Sequence, residues 1–186
     1  MTFEQDKEKQ LARKDPSDEG KWDDAIASAC KKLNENKNHY TTSSCSGRIV
    51  LIKALEEKAE GVFLFKTHNK ISFKQLKKEL ERIKKDYKKR VDFKQETCIV
   101  VSACRSLEDA QNLVDKFKEA GWKRTGIIAS RKRIIVEAMS TEHLALPIID
   151  RGKILVDDVY LKILVRDANL KLDRVREKIL RFEKTI

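Results

Sequence analysis

Tyr40-Thr41-Thr42-Ser43-Ser44-Cys45-Ser46-Gly47-Arg48 runs directly into Ile49-Val50-Leu51-Ile52, and the reading of this junction decides the fold. Small hydroxyl or thiol side chains stand in an unbroken row from Thr41 to Ser46, before one glycine and one arginine. A hydrophobic core has no use for that composition. Tyr and Thr favour a pleated strand. Ser favours turns, because its hydroxyl satisfies nearby backbone groups. Gly47 frees the backbone to take a positive φ or to approach a ligand closely. Arg48 opens a run that reads as a buried strand. The expectation is a polar, donor-rich turn held at the end of a rigid strand, the kind of place where binding and catalysis sit. The same residues also suit a plain Ser/Thr-rich hairpin turn bearing a surface Arg.

Working outward, Thr2 to about Lys14 reads as a charged helix, stopped at Asp15-Pro16 because proline disfavours helix in the residue before it. Asp23 or Asp24 opens a second helix, with Ile26, Ala29, Cys30 and Leu33 at helical spacing. Downstream, strands are expected over Tyr40 to Ser44, Arg48 to about Glu56 and Gly61 to Thr67. A helix follows, with Phe73, Leu76, Leu80, Ile83 and Tyr87 on one stripe; it ends in Lys84-Lys85-Asp86-Tyr87-Lys88-Lys89-Arg90. Thr97 to Cys104 reads as a buried strand. Ser106 with Asp109 starts a helix, and Gly121 ends it. Lys123 to Ser130 and Lys132 to Ser140 form a hairpin with Arg131, Lys132 and Arg133 at its tip. Short strands around His143 to Ile149 and Lys153 to Val156 precede a long helix starting at Asp157 or Asp158. The fold class is α+β: a mixed or mostly antiparallel sheet with packed helices and a long C-terminal helix, in a single domain over 1–186. No Gly-x-Gly-x-x-Gly follows a strand, so a Rossmann pocket is not supported.

Composition narrows the partner. The 41 basic and 30 acidic residues leave a net charge of +11, so a polyanion is the default partner. RNA fits that better than a membrane, since no apolar run approaches the roughly 20 residues that span a bilayer. Met-Thr-Phe-Glu-Gln-Asp-Lys lacks a signal-peptide apolar region, which points to the cytoplasm. Cys30, Cys45, Cys98 and Cys104 form no Cys-x-x-Cys pair, so neither a metal site nor disulfides are expected. Cys98 and Cys104 read as small core residues.

Tyr40 to Arg48 resembles the signature of the tRNA wybutosine-synthesising protein 3 family, whose archaeal members are called Taw3. Asp15-Pro16-Ser17 with Asp23, Ser106-Leu107-Glu108-Asp109-Ala110, Gly121-Trp122, Thr125-Gly126-Ile127, Pro147, Tyr160-Leu161, Leu164-Val165 and Ala168-Asn169 extend the likeness along nearly the whole chain. The chain departs from the family pattern at Asp18-Glu19-Gly20, at Val101 and at Arg174. The resemblance implies an S-adenosyl-L-methionine-dependent methyltransferase acting on a ring nitrogen of the wyosine-type tricyclic base beside the anticodon of phenylalanine tRNA.

On that reading Ser43, Ser44, Cys45, Ser46, Gly47 and Arg48 hold the cofactor, with Thr125, Gly126 and Asn169 contributing. Asp15 or His68 accepts the proton of the acceptor nitrogen. Lys84, Lys85, Lys88, Lys89, Arg90, Arg131, Lys132 and Arg133 meet RNA phosphates, and Tyr87 or Trp122 stacks on a base. Each residue also has a structural use: Arg48 in a rim ion pair, His68 at a strand end, Asn169 in a helix–sheet contact, Asp23 as a cap. Charge alone suits a non-catalytic RNA-binding module. A thiol enzyme built on Cys45 is a third reading.

Overall fold

The computed structural model describes residues 2–13, 22–54 and 61–186. In chain order the elements are α1 (Phe3–Leu11), α2 (Asp24–Glu35), β1 (His39–Cys45), β2 (Arg48–Lys53), β3 (Phe63–Thr67), α3 (Phe73–Asp86), β4 (Val91–Glu96), β5 (Ile99–Cys104), α4 (Leu107–Glu119), β6 (Arg124–Ala129), β7 (Ile134–Met139), β8 (Leu144–Asp150), β9 (Lys153–Ile154) and α5 (Asp158–Thr185). Every strand pairing among the described residues is antiparallel, so the α+β expectation holds and the parallel sheet of a Rossmann fold is excluded. No helix among them is long and apolar enough to cross a membrane.

The chain forms two compact units, each with its own sheet and core. Unit 1 takes residues 1–46, 98–141 and 175–186, and its sheet runs β1-β5-β7-β6. Its core is aromatic at one end. Phe117 stacks on Phe182 with ring centroids 3.8 Å apart, and Trp122 lies tilted 5.1 Å from Phe117. The Trp122 indole N–H donates to the Lys178 carbonyl at 3.1 Å, so a fully buried ring keeps its polar atom satisfied. This rules out Trp122 as a base-stacking platform. Cys98 and Cys104 are buried, as expected of core residues, and burial pushes the Cys104 thiol up to about 12.

Unit 2 takes residues 47–97 and 142–174, and its sheet runs β3-β2-β4-β8-β9. Leu76, Leu80 and Ile83 of α3 are buried at steps of four and three, and they join Ile49, Leu51, Phe93, Leu161, Ala168 and Leu172 in one core. Ser72 caps α3 by accepting from the Gln75 N–H at 3.1 Å. Gly152, at φ +71°, lets the β8–β9 turn lie against the Lys88 side chain.

Two features differ from the sequence reading. Val91–Glu96, to which the sequence reading assigns no element, is a strand, and Val91, Phe93 and Gln95 alternate inward. The expected strand over Tyr40 to Ser44 is present as β1, but no hairpin turn follows it. β1 runs to Cys45 and pairs with β5, whereas β2 pairs with β3 and β4, so the two flanking strands form no hairpin. Only Ser46-Gly47 links them, with Gly47 at φ +82°.

Candidate functional site

The row of hydroxyls can be accounted for one by one. β1 is an edge strand of its sheet, and its register against β5 shifts at Thr42. That bulge turns the Thr42 hydroxyl toward its neighbour, where it donates to the Val101 carbonyl at 3.2 Å. The Asn34 side chain holds Thr41 twice: its oxygen accepts from the Thr41 N–H at 2.7 Å, and its amide donates to the Thr41 hydroxyl at 2.9 Å. Ser43 is exposed. The Ser44 hydroxyl is buried and has no hydrogen-bond partner among the described residues. Ser46 is buried, and its N–H donates to the Asp23 carboxylate at 2.8 Å. Asp23 sits at the N-cap of α2 without using its side chain there, because the carboxylate is turned to the Ser46 amide. A cap residue withdrawn from its helix to fix the end of β1 is more than the punctuation its sequence position suggests.

In unit 2 the chain resumes at Gly47. The His68 Nδ1 meets the Gly47 carbonyl at 3.0 Å. A carbonyl only accepts, so Nδ1 is the donor in this contact. Arg48 Nε donates to Glu96 at 2.5 Å, and its guanidinium lies 4.7 Å from the centre of the Phe63 ring. Glu96 stands directly opposite Arg48 in the β2–β4 register. Asn169, on α5, uses both amide atoms on one residue: it accepts from the Ile71 N–H at 3.0 Å and donates to the Ile71 carbonyl at 2.8 Å. That fixes the segment entering α3, so the contact is to the residues before a helix and not the helix–sheet contact expected as the alternative to a ligand role.

The other candidates are spread over both units. In unit 1 the Thr125 hydroxyl donates to the Trp122 carbonyl at 2.7 Å, and Gly126 on the edge strand β6 faces open space. The tip residues Arg131, Lys132 and Arg133 are exposed, and Arg133 pairs with Asp6. In unit 2 Lys84 pairs with Glu81 at 2.5 Å and Arg90 with Asp92 at 2.8 Å. Lys85 and Lys89 are exposed, and the exposed Lys88 ammonium donates to the Lys84 carbonyl at 2.6 Å. The Tyr87 ring is half-buried, with Lys53 over it at 5.6 Å. Asp15 lies outside the described residues.

Three polar groups escaped sequence reasoning. Asp6 accepts from the buried Tyr40 hydroxyl at 2.5 Å, an interaction between a helix and a strand that no spacing reveals. That bond and the Arg133 guanidinium hold the Asp6 carboxyl below its usual range against the cost of burial. His39 is buried beside Cys104 in the β1–β5 register, its Nδ1 has no partner among the described residues, and burial lowers its pKa. Glu96, the partner of Arg48, was hidden with the strand that carries it.

Comparison with known proteins gives these features a setting. A solved protein from Pyrococcus horikoshii superposes with a TM-score of 0.85 at 31% identity, over 98% of this chain and 93% of its own. A crystal structure of a hypothetical protein from Aeropyrum pernix gives 0.74 at 26% identity, over 87% of this chain and 95% of its own. The fold, antiparallel α+β, is shared with both of these proteins. Among sequences, a Methanocaldococcus jannaschii protein named tRNA(Phe) 7-((3-amino-3-carboxypropyl)-4-demethylwyosine(37)-N(4))-methyltransferase is 34% identical over 98% of this chain and 95% of its own. A tRNA wybutosine-synthesizing protein 3 homolog from Danio rerio is 33% identical over 100% of this chain and 74% of its own. The chain belongs to the methyltransferase TYW3 family, whose model matches residues 5–186.

Proposed function

We propose that this methyltransferase uses S-adenosyl-L-methionine to methylate N4 of a 4-demethylwyosine-type base in tRNA(Phe), as the archaeal relatives are named for doing. The observation that carries the reading is the family match over nearly the whole chain, with relatives so named at 33–34% identity over 98–99% of it. Family membership favours an enzyme over a non-catalytic RNA-binding module. The net charge of +11 supports a polyanionic substrate.

The donor's fit to this chain rests on the Ser-rich strand. A buried hydroxyl without a partner costs free energy unless something else meets it, and Ser44 is in that position. Ser43, Ser44, Cys45, Ser46, Gly47 and Arg48 are the proposed donor contacts. When bound, the donor supplies an electrophilic methyl: the N–CH3 bond forms as the sulfonium S–CH3 bond breaks, and the nitrogen's proton leaves. Such a transfer depends chiefly on alignment. Within unit 1 the Ser46 N–H is tied to Asp23, and within unit 2 the Gly47 carbonyl is tied to His68. His68 and Asp15 are the proposed bases. Asn169 contributes through the Ile71 backbone that it holds, and Thr125 with Gly126 is proposed to contribute from β6. Lys84, Lys85, Lys88, Lys89, Arg90, Arg131, Lys132 and Arg133 are the proposed phosphate contacts.

The test is transfer of a labelled methyl group from S-adenosyl-L-methionine to undermodified tRNA(Phe). Label should enter the tRNA with the wild-type chain and fall by at least tenfold with Arg48→Ala, which leaves Glu96 unpaired and removes a guanidinium from the donor stretch. Salt-dependent tRNA binding without any transfer would replace the enzyme by the binding module. Full transfer by Arg48→Ala would move the donor elsewhere.

A further inference from the structure

We propose that the groove between α1 and the tip of the β6–β7 hairpin in unit 1 binds the RNA phosphodiester backbone, with the carboxylates of Glu4 and Asp6 standing where two phosphates bind. This rests on the tRNA reading above and deepens it.

The groove encloses about 420 Å³, and its lining includes Asp6, Tyr40, Arg105, Arg131, Lys132 and Arg133. Four cations around one such space repel one another unless anions share it. The present anions come from α1. Arg105 donates to Glu4, and Arg133 donates to Asp6. Arg105 is also held from two other sides: it donates to the Lys37 carbonyl at 3.0 Å, and its guanidinium lies 4.7 Å from the centre of the Phe3 ring. Its fork is therefore aimed before any ligand arrives. A guanidinium binds carboxylate and phosphate through the same planar, charge-assisted geometry. Arg131 and Lys132 are exposed and make no ion pair among the described residues, so the carboxylates answer only half of the cationic set.

α1 is itself suited to give way. It contributes no buried residue, and one tilted ring contact, Phe3 to Tyr40 at 5.2 Å, with polar contacts holds it to β1 and its neighbours: Asp6 to Tyr40, the Lys7 ammonium to the Asn36 carbonyl at 2.6 Å, and the Gln10 amide to the Thr42 carbonyl at 3.3 Å. The Glu4–Arg105 pair is exposed, and such pairs are weak and screened by salt; the Asp6 side chain, 14% exposed, is the firmer of the two anions. A strand of phosphates that meets several cations at once and releases its counterions outcompetes them.

The experiment measures binding of a fluorescent tRNA(Phe) transcript to the full chain over a salt series. Glu4→Gln with Asp6→Asn should tighten binding about fivefold at low salt and steepen the log–log salt slope by about 1 to 2, because two more guanidinium groups reach phosphate. Arg131→Ala with Lys132→Ala should weaken binding and flatten the slope by a similar amount. Asn at position 6 still accepts from Tyr40. If that double variant unfolds early in a melt, Glu4→Gln alone carries the test with about a twofold gain, since Glu4 sits in an exposed ion pair. Unchanged affinity and slope in these variants overturns the proposal. So does an equal gain for polyglutamate, which would assign the groove to an acidic protein. Wild-type methyl transfer is measured alongside. Groove variants that shift RNA affinity in a chain that methylates nothing would sink the proposed reaction and leave the groove standing; intact transfer with inert groove variants would do the reverse.

Discussion

Ser44→Ala separates a residue kept for a ligand from one kept for the fold. The Ser44 hydroxyl is buried in a half-buried residue on β1 and has no partner among the described residues, while Thr41 and Thr42 on the same strand spend their hydroxyls internally. A buried polar group left unsatisfied costs about 1–3 kcal/mol, and a half-buried residue falls at the low end. Removing the oxygen deletes that cost and only a small volume, so the variant should be as stable as the wild type or more stable by up to about 1 kcal/mol. If the hydroxyl meets the methyl donor, its loss removes one hydrogen bond made on binding, worth about 1 kcal/mol, or about five- to tenfold in Kd. Urea unfolding and calorimetric titration with S-adenosyl-L-methionine read the two quantities on one preparation. The expected pattern is unchanged or raised stability with weakened donor binding. Destabilisation beyond about 1 kcal/mol would mean that the hydroxyl serves the fold, and unchanged donor affinity would remove Ser44 from the site.

Three other perturbations follow from the packing. Trp122→Ala opens a cavity beside the stacked Phe117 and Phe182 in the unit 1 core and should cost about 4 kcal/mol in denaturant unfolding; a loss below about 1 kcal/mol would contradict that packing. Asn169→Ala strands both backbone groups of Ile71, which is buried, and should cost about 2 kcal/mol; a neutral result would mean that the amide is not a brace. His39 is kept neutral by burial, partly offset by Asp109. Its folded pKa lies below the unfolded one, so the unfolded chain binds the extra proton as pH falls through about 6.5, and stability should fall there with it. Urea midpoints against pH should show that loss in the wild type and not in His39→Gln; identical profiles would refute it.

Much of this was open in the sequence because its signals are local. The stripe Leu76, Leu80, Ile83, the cap at Ser106, and the hairpin with Arg131 to Arg133 at its tip are written in spacing and in single residue types. β4 was also written, in the alternation of Val91, Phe93 and Gln95, but Asp92, Lys94 and Glu96 on its other side extend the charge of the preceding cluster and mask it. Its loss hid Glu96 and left Arg48 without its cross-strand partner. The Ser-rich row was legible as a strand over Tyr40 to Ser44, but its pairing with β5 and the bulge at Thr42 are visible only in the register. Contacts such as Asp6 to Tyr40 and Asn169 to Ile71 join positions 34 and 98 residues apart, which no local pattern encodes.

The most direct measurement is nucleoside mass spectrometry of tRNA(Phe) carrying the 4-demethylwyosine-type base, after incubation with the chain and S-adenosyl-L-methionine. The proposed function predicts one added methyl group on the tricyclic base, at the ring nitrogen N4, and none on any other nucleoside. A tricyclic base returned unchanged while the chain binds both the tRNA and the donor, or a methyl group found on a different nucleoside, would contradict it.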